Sequence, residues 1–343
     1  PLASLFVLLG PAVFLIFGRR RTLRRLLWLM VANAVVLAIA GLFVKLTDSD
    51  KILGRFDTGQ LYFFSTFSYK NHWGAYCILV LGAIGALTHP LLRAEYEGKS
   101  LGHSPVPLLV LASLLVGITV PLSGSRSCSI IYGFQFAAYL SMIIAFKLPR
   151  RMPRPGRMAL AGTLSLGAGV LLLGSSLLLD EKNRTEIFTV SARQYKAFVE
   201  EGKLESRFYI SRDTWKMFAD KPVWGWGLGS YRFIINDPGK YLGPEHEGKY
   251  EHAHNDWLQY MAETGTAGFL LLAIIILSPF FTYRRNGRAN PVSNWLWGSV
   301  FLLLAYAFVE FPCRTPAVAV HLTIFIAAGT KYGLLERQRQ RPA

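Results

Sequence analysis

Charge is scarce in this 343-residue sequence: Asp, Glu, Lys and Arg together make up 17%, against 52% hydrophobic residues. Soluble domains carry roughly a quarter of their residues charged, so an ordinary soluble enzyme of this length is excluded. Cysteine is also rare. Cys77, Cys128 and Cys313 have no CxxC or CxxH spacing, which indicates neither a zinc frame nor a disulfide scaffold. Cys128 and Cys313 fall near the same membrane boundary, where a disulfide would be redox-permitted, but packing is the simpler role. The Gly-rich stretch Val223-Trp224-Gly225-Trp226-Gly227-Leu228-Gly229-Ser230-Tyr231 lacks the Lys-Ser/Thr ending of a phosphate loop. It matches no dinucleotide fingerprint either, so it reads as a turn. There is no internal repeat and no low-complexity tract.

What the sequence has is apolar runs. Crossing about 30 Å of hydrocarbon as a helix takes near 20 residues, because lipid offers the backbone no hydrogen-bond partner. Nine candidate spans are read at 2–17, 26–46, 73–92, 106–122, 130–147, 159–179, 256–281, 293–309 and 317–334. The net charge of +16 is concentrated in alternate short loops: Arg19, Arg20, Arg21, Arg24 and Arg25; Lys147, Arg150, Arg151, Arg154 and Arg157; Arg284, Arg285 and Arg288; Arg337, Arg339 and Arg341. That alternation is the positive-inside pattern rather than a nucleic-acid face, and it sets these loops and the C-terminus in the cytoplasm. The other loops face outward. An outward Pro1 heading a short first span suggests a longer parent chain, with an odd number of upstream spans.

One outward loop is domain-sized. The expected organisation is membrane helices over 1–179, a loop domain over 180–255, membrane helices over 256–334 and a cytoplasmic tail over 335–343. Residues 180–253 hold twelve Lys and Arg against twelve Asp and Glu, the balance of a folded unit rather than a leaflet-binding tail. Within it, 186–200 reads as an amphipathic helix and 207–219 as a second helix, stopped by Pro222.

The stretch from Glu251 to Gln259 joins this loop to a span and is the most informative. Asp256 with Gln259 resembles a capping box, which starts a helix with His254 just outside its positive end. That position disfavours imidazolium and suits His254 as a general base; the plainer role is a hydrogen-bonded residue at a helix start. The His252-x-His254 pair also admits a metal reading with His246, Glu251 or Asp256 as further ligands, though no ligand frame is recognisable and none is expected. Gly265 and Gly268 read as close-packing positions. Arg126, in Gly124-Ser125-Arg126-Ser127 at the mouth of two helices, is either a site residue or an interfacial arginine reaching to headgroups. Ser206-Arg207 with Arg212 completes the set, with surface salt bridging as its ordinary explanation. A neutral histidine and several arginines on one side of a membrane suit glycosyl transfer from a lipid diphosphate, the guanidinium groups holding the diphosphate and the histidine taking a hydroxyl proton.

Four segments together resemble the O-antigen ligase and polymerase superfamily. His254-Asn255, nine residues and Gly265-x-x-Gly268 is similar to its large-loop signature, and Gly124-Ser125-Arg126 to its Gly-Ser-Arg element. Ser206-Arg207 ahead of Asp220-Lys221-Pro222-Val223-Trp224-Gly225 resembles Ser-Arg…His-Pro-Leu-x-Gly, while Tyr69-Lys70-Asn71-His72-Trp73 resembles the Asn-His-aromatic start of a membrane helix. Lys221 stands where the family often has His, and Ser127-Cys128 replaces a small Gly pair. The resemblance implies an all-α, GT-C-like polytopic helix bundle of about twelve spans with one large helical periplasmic loop domain, in the bacterial inner membrane, its active site facing the periplasm. It implies metal-independent, cofactor-free, inverting transfer of O-antigen polysaccharide from undecaprenyl diphosphate to a sugar hydroxyl of lipid A-core. His254 is then the base, with Arg126, Arg207, Arg212, His252 and Asn255 as substrate-binding residues. Membrane lipids are partners and nucleic acid is not. An O-antigen polymerase, a protein O-oligosaccharyltransferase and, from another class, a transporter of lipid-linked sugars are the alternatives.

Overall fold

The computed structural model describes residues 18–47, 51–52, 56–57, 63–99, 104–149, 152–179, 189, 206–242, 249–285 and 290–340. The expected first span over 2–17, the amphipathic helix over 186–200 (Thr189 apart), His246, Arg150, Arg151, Arg288 and Arg341 lie outside them. The described chain is an all-α, multi-pass arrangement: α1 Arg20–Leu46, α2 Lys70–Tyr96, α3 Val106–Leu122, α4 Arg126–Lys147, α5 Arg154–Leu179, α6 Ser206–Asp220, a short α7 Tyr231–Ile234, α8 Asp256–Arg285, α9 Pro291–Tyr306 and α10 Pro316–Gln340. Eight of the nine expected spans coincide with a helix. Five helices (α1, α2, α4, α8 and α10) are long and apolar enough to cross a membrane. A two-residue antiparallel ladder, Lys51–Ile52 with Phe56–Asp57, is the sheet among the described residues.

The apolar composition decides which helix is central. In α2, 83% of the most apolar window is buried, against 11% in α8, so α2 runs through the protein and α8 presents its side chains to lipid. Trp73, Tyr76, Leu79 and Ile84 of α2 pack with Leu27 and Val31 of α1, Val116 of α3, Tyr132 and Phe136 of α4, Val300 of α9 and Phe325 of α10. Two polar contacts cross this core, where an unpaired polar group is costly. The Trp73 indole donates to Thr119 Oγ1 (3.1 Å) and Gln135 Nε2 to Ser299 Oγ (2.7 Å). The starts of α2, α4, α8 and α10 lie at one end of the bundle with the end of α9. At the opposite end Tyr332 donates to the Arg20 carbonyl and Lys147 pairs with Glu95.

A second, smaller core belongs to the loop unit: Ile210, Met217, Phe218, Tyr231, Ile235, Tyr241, Ala253 and Ala262. Ala262 comes from α8, and the reason is a break in that helix. Gly265 has φ 66° and ψ −171°, a combination essentially reserved for glycine. Helix hydrogen bonding stops there, and the chain after Pro222 takes it over. The amides of Trp226 and Gly227 donate to the carbonyls of Ala262 and Glu263, and the amides of Thr266 and Ala267 donate to those of Pro222 and Val223. These four backbone groups of α8 are thus paired, as burial near lipid requires. Gly265 is therefore a close-packing position, as expected, and also a helix-breaking splice point; Gly225 (φ 67°) faces it, with no room for a Cβ at either position. The bend is sharp. Trp257 and Phe269 touch at 5.9 Å between ring centroids, whereas residues twelve apart on a straight helix stand about 18 Å apart along the axis.

Gly265→Ala should therefore cost about 1–3 kcal/mol in backbone strain alone and also press on the Val223 carbonyl. A clearly lowered thermal midpoint in detergent is expected, and an unchanged midpoint would refute the splice.

Candidate active site at the outer end of the helix bundle

The residues after α9 turn back as Ala307-Phe308-Val309-Glu310-Phe311, a 3-10 turn Pro312–Arg314, and then α10. The start of α8 is tied to this turn through the backbone. The Asp256 amide donates to the carbonyls of Ala307 (2.9 Å) and Glu310 (3.1 Å), and the Cys313 amide donates to Asp256 Oδ2 (2.8 Å). Asn255, whose Oδ1 accepts from the Leu258 amide at 3.0 Å, is the side-chain cap of α8. The capping box expected of Asp256 and Gln259 is thus not formed: Asp256 serves the turn, and Gln259 Oε1 accepts from the Ala253 amide (3.1 Å) while its Nε2 donates to Glu263 (3.0 Å).

Held between anchored Ala253 and Asn255, His254 adopts φ 51°, a left-handed conformation uncommon outside glycine. Its Nδ1 lies 3.3 Å from Glu310 Oε1, and that same oxygen receives Arg207 Nη2 at 2.8 Å. Arg207 Nη1 also donates to the Val309 carbonyl (3.0 Å). Glu310 is 1% exposed, so its charge is compensated from two elements at once. Its other oxygen, Oε2, is buried with no hydrogen-bond partner.

Phe311 is the hub beside this carboxylate. Tyr69 stacks on it (5.5 Å, 11°), His252 lies tilted against it (4.6 Å), and His72 and His254 meet it edge-on (5.2 and 4.9 Å). Burial, with the Glu310 charge, pushes the Tyr69 phenol up to about 12, so it remains a neutral hydroxyl. Burial and then the Arg314 cation lower the His252 pKa. Tyr69 accepts from Asn71 Nδ2 (3.0 Å), and Ser125 Oγ donates to Asn71 Oδ1 (2.6 Å). Arg126, next to Ser125, sits exposed in the first turn of α4. The Gly-Ser-Arg, Asn-His-aromatic, Ser-Arg and His-Asn segments therefore converge: Ser125 on Asn71, Asn71 on Tyr69, Tyr69 and His254 on Phe311, His254 and Arg207 on Glu310. Arg212 is engaged elsewhere, its guanidinium gripping both oxygens of buried Asp213 (2.9 and 3.2 Å), which Lys216 also pairs.

Glu310, Phe311, Tyr69 and Arg314 join this candidate site by their contacts and were not singled out by sequence reasoning. The signal was present for one of them: Glu310 is the single acid between residues 291 and 335, and an ionisable group in such apolar surroundings is functional by default. Arg314 reaches Asp256 (3.5 Å) and Glu263 (3.3 Å), and Glu263 also accepts from the Gly229 amide (3.0 Å), so it ties the turn to the α8 splice. Among the described residues no three His, Cys, Asp or Glu side chains are grouped to hold a metal.

A sequence model described as O-Antigen ligase matches residues 111–273. A stretch of 81 residues, 23% of this chain, is 31% identical to the exopolysaccharide production protein ExoQ of Rhizobium meliloti (strain 1021), and it spans 19% of that protein.

Because folding favours the neutral imidazole of His252, the unfolded chain binds more protons as pH falls below about 6.5, and stability falls with it. Histidine hydrogen–deuterium exchange read by mass spectrometry should find His252 titrating below 6.5, and Arg314→Gln should raise its pKa. Titration at or above the ordinary value in the native protein would contradict this electrostatic picture.

Proposed function

We propose, from the O-antigen ligase match over residues 111–273, that this chain transfers a polysaccharide from undecaprenyl diphosphate to a sugar hydroxyl of lipid A-core, with inversion and without a metal. The observation that supports this most directly is the Glu310 carboxylate bonded to both His254 Nδ1 and Arg207. With Nδ1–H donating to Glu310, Nε2 of His254 is the proton acceptor. The carboxylate fixes the tautomer and stabilises the imidazolium that forms, as the acid of a Ser-His-Asp triad does. The acceptor hydroxyl oxygen attacks the anomeric carbon from the face opposite the diphosphate, its proton passes to Nε2, and the carbon–oxygen bond to the diphosphate breaks with the electron pair leaving on the phosphate. Arg207 and Arg126 receive that charge and His252 and Asn255 line the acceptor side, while Arg212, expected among them, is committed to Asp213. The site then faces the periplasm from the inner membrane, a placement supported by the basic loops at the opposite helix ends.

The 31%-identical relative is an exopolysaccharide production protein, which favours a second reading with the same donor: growth of another lipid-linked glycan, that is, a polymerase. The two differ only in acceptor.

The test is reconstitution with undecaprenyl-diphosphate-linked polysaccharide and lipid A-core in EDTA. Glycan on lipid A-core is expected with wild type, and His254→Ala should lose at least about 10²-fold in rate, the usual worth of a general base. Glu310→Gln should lose a comparable factor while the protein stays folded. A lengthening lipid-linked ladder with unmodified core would replace the ligase by the polymerase. Loss of activity in EDTA would reinstate a metal, and histidine-independent movement of the lipid across the bilayer would point to a transporter.

A further inference from the structure

The loop unit carries large apolar side chains that its own core does not use. Trp224 is 78% exposed, Leu228 72% and Phe233 65%, all within one short loop, and exposure on that scale marks a surface that something else covers. Their neighbour Trp226 behaves differently. Its indole donates to the Met217 carbonyl (2.8 Å), and the ammonium groups of Lys221 and Lys240 lie 3.9 and 4.3 Å from its ring centroid. The backbone that turns Trp224 and Leu228 outward is itself held. The Gly227 amide donates to the Glu263 carbonyl (2.7 Å) and the Gly229 amide to Glu263 Oε2 (3.0 Å), so Leu228 stands at the tip of a turn fastened on both sides to α8.

What covers these side chains follows from where the loop is fastened. Val223 and Trp224 pass with their backbone against Gly265, about 8 Å along the α8 axis from Leu270. Leu270, Leu271 and Ile274 are the exposed side chains of the half of α8 that faces lipid, so the loop adjoins the surface where hydrocarbon begins. At that depth Trp is enriched, and a cation beside an apolar side chain reaches lipid phosphate. The charges fit. From Lys221 to Asn236 the sequence holds Lys221 and Arg232 and no acid, and the Arg232 guanidinium lies 4.7 Å from the Phe233 ring centroid. The length of α6, about 20 Å, separates this loop from Arg207, so the patch is not a rim of the Glu310 cluster. We propose that the loop is a bilayer anchor: Trp224, Leu228 and Phe233 enter the interface of the adjoining leaflet, and Lys221 and Arg232 meet the phosphates of anionic lipids. The anchor fixes the depth of the Gly265 break in the membrane, whichever reaction the protein carries out.

The experiment uses the full chain in nanodiscs with a bimane fluorophore on Leu228→Cys. Cys77 and Cys128 are buried, and the unsubstituted protein treated alike gives the background. Quenching by a lipid with a nitroxide high on its acyl chain is expected, together with protection from aqueous iodide. Lipid quenching should be stronger in discs containing phosphatidylglycerol than in phosphatidylcholine alone. Adding Trp224→Ser and Phe233→Ser, both outside the loop unit's core, should lose the lipid quenching and open the label to iodide, with circular dichroism checking that the helices persist. Iodide quenching without lipid quenching in Leu228→Cys alone would overturn the anchor. Protection from both quenchers would overturn it too, by showing that protein or glycan covers the loop instead, and indifference to phosphatidylglycerol would remove Lys221 and Arg232 from it.

Discussion

The interaction on which the outer end of this protein depends is the compensation of one buried charge. An isolated carboxylate at the edge of a hydrocarbon layer is costly enough that it must be paired or neutralised. Glu310 has its partners brought from two distant stretches of chain: Arg207 from the loop unit and His254 from the segment entering α8. Removing either leaves a buried charge short of a partner, which is costlier than never having buried it. The pairing therefore does two jobs: it docks the loop unit against the helix bundle, and it gives the histidine a fixed orientation. The left-handed backbone at His254 fits this account, since such a conformation persists only where surrounding contacts over-determine it.

Much of this was legible in the sequence. Spans, their order and the domain-sized loop follow from hydropathy, because the membrane requirement acts on every residue of a helix and so accumulates over twenty positions. The motif residues were legible as types with a chemistry: His254 and Arg207 meet on Glu310, and Arg126 follows Ser125, which bonds Asn71. What sequence could not supply is pairing across distance. Glu310 stands 56 positions from His254, and no local period links them. The misreading of Asp256 as half of a capping box has the same origin, since spacing alone cannot tell that its carboxylate is claimed by the Cys313 amide and Arg314. Gly265 looked like a packing residue because glycine in a membrane helix usually is one. Only the partner segment after Pro222 reveals that the helix has been cut.

That cut resolves a conflict between two demands. The proposed chemistry needs polar, water-exposed groups, yet these stand beside apolar helices at a depth where unpaired backbone is intolerable. A straight α8 would separate the two by carrying Trp257 and the residues before it away from the membrane. Breaking it at Gly265 frees the carbonyls of Ala262 and Glu263 and the amides of Thr266 and Ala267, and the turn from Pro222 to Gly227 satisfies all four. The first nine residues of α8 then lie back over the apolar stretch that follows, with Glu263 and Asp256 held by Arg314. Polar side chains and apolar helix surface are thereby set side by side, with these four backbone groups paired. The two glycines make this possible because each stands where another backbone passes too close for a Cβ, which gives the separation of the His-Asn pair from Gly265, and the Pro-Val-Trp-Gly run that faces it, a single geometric reason.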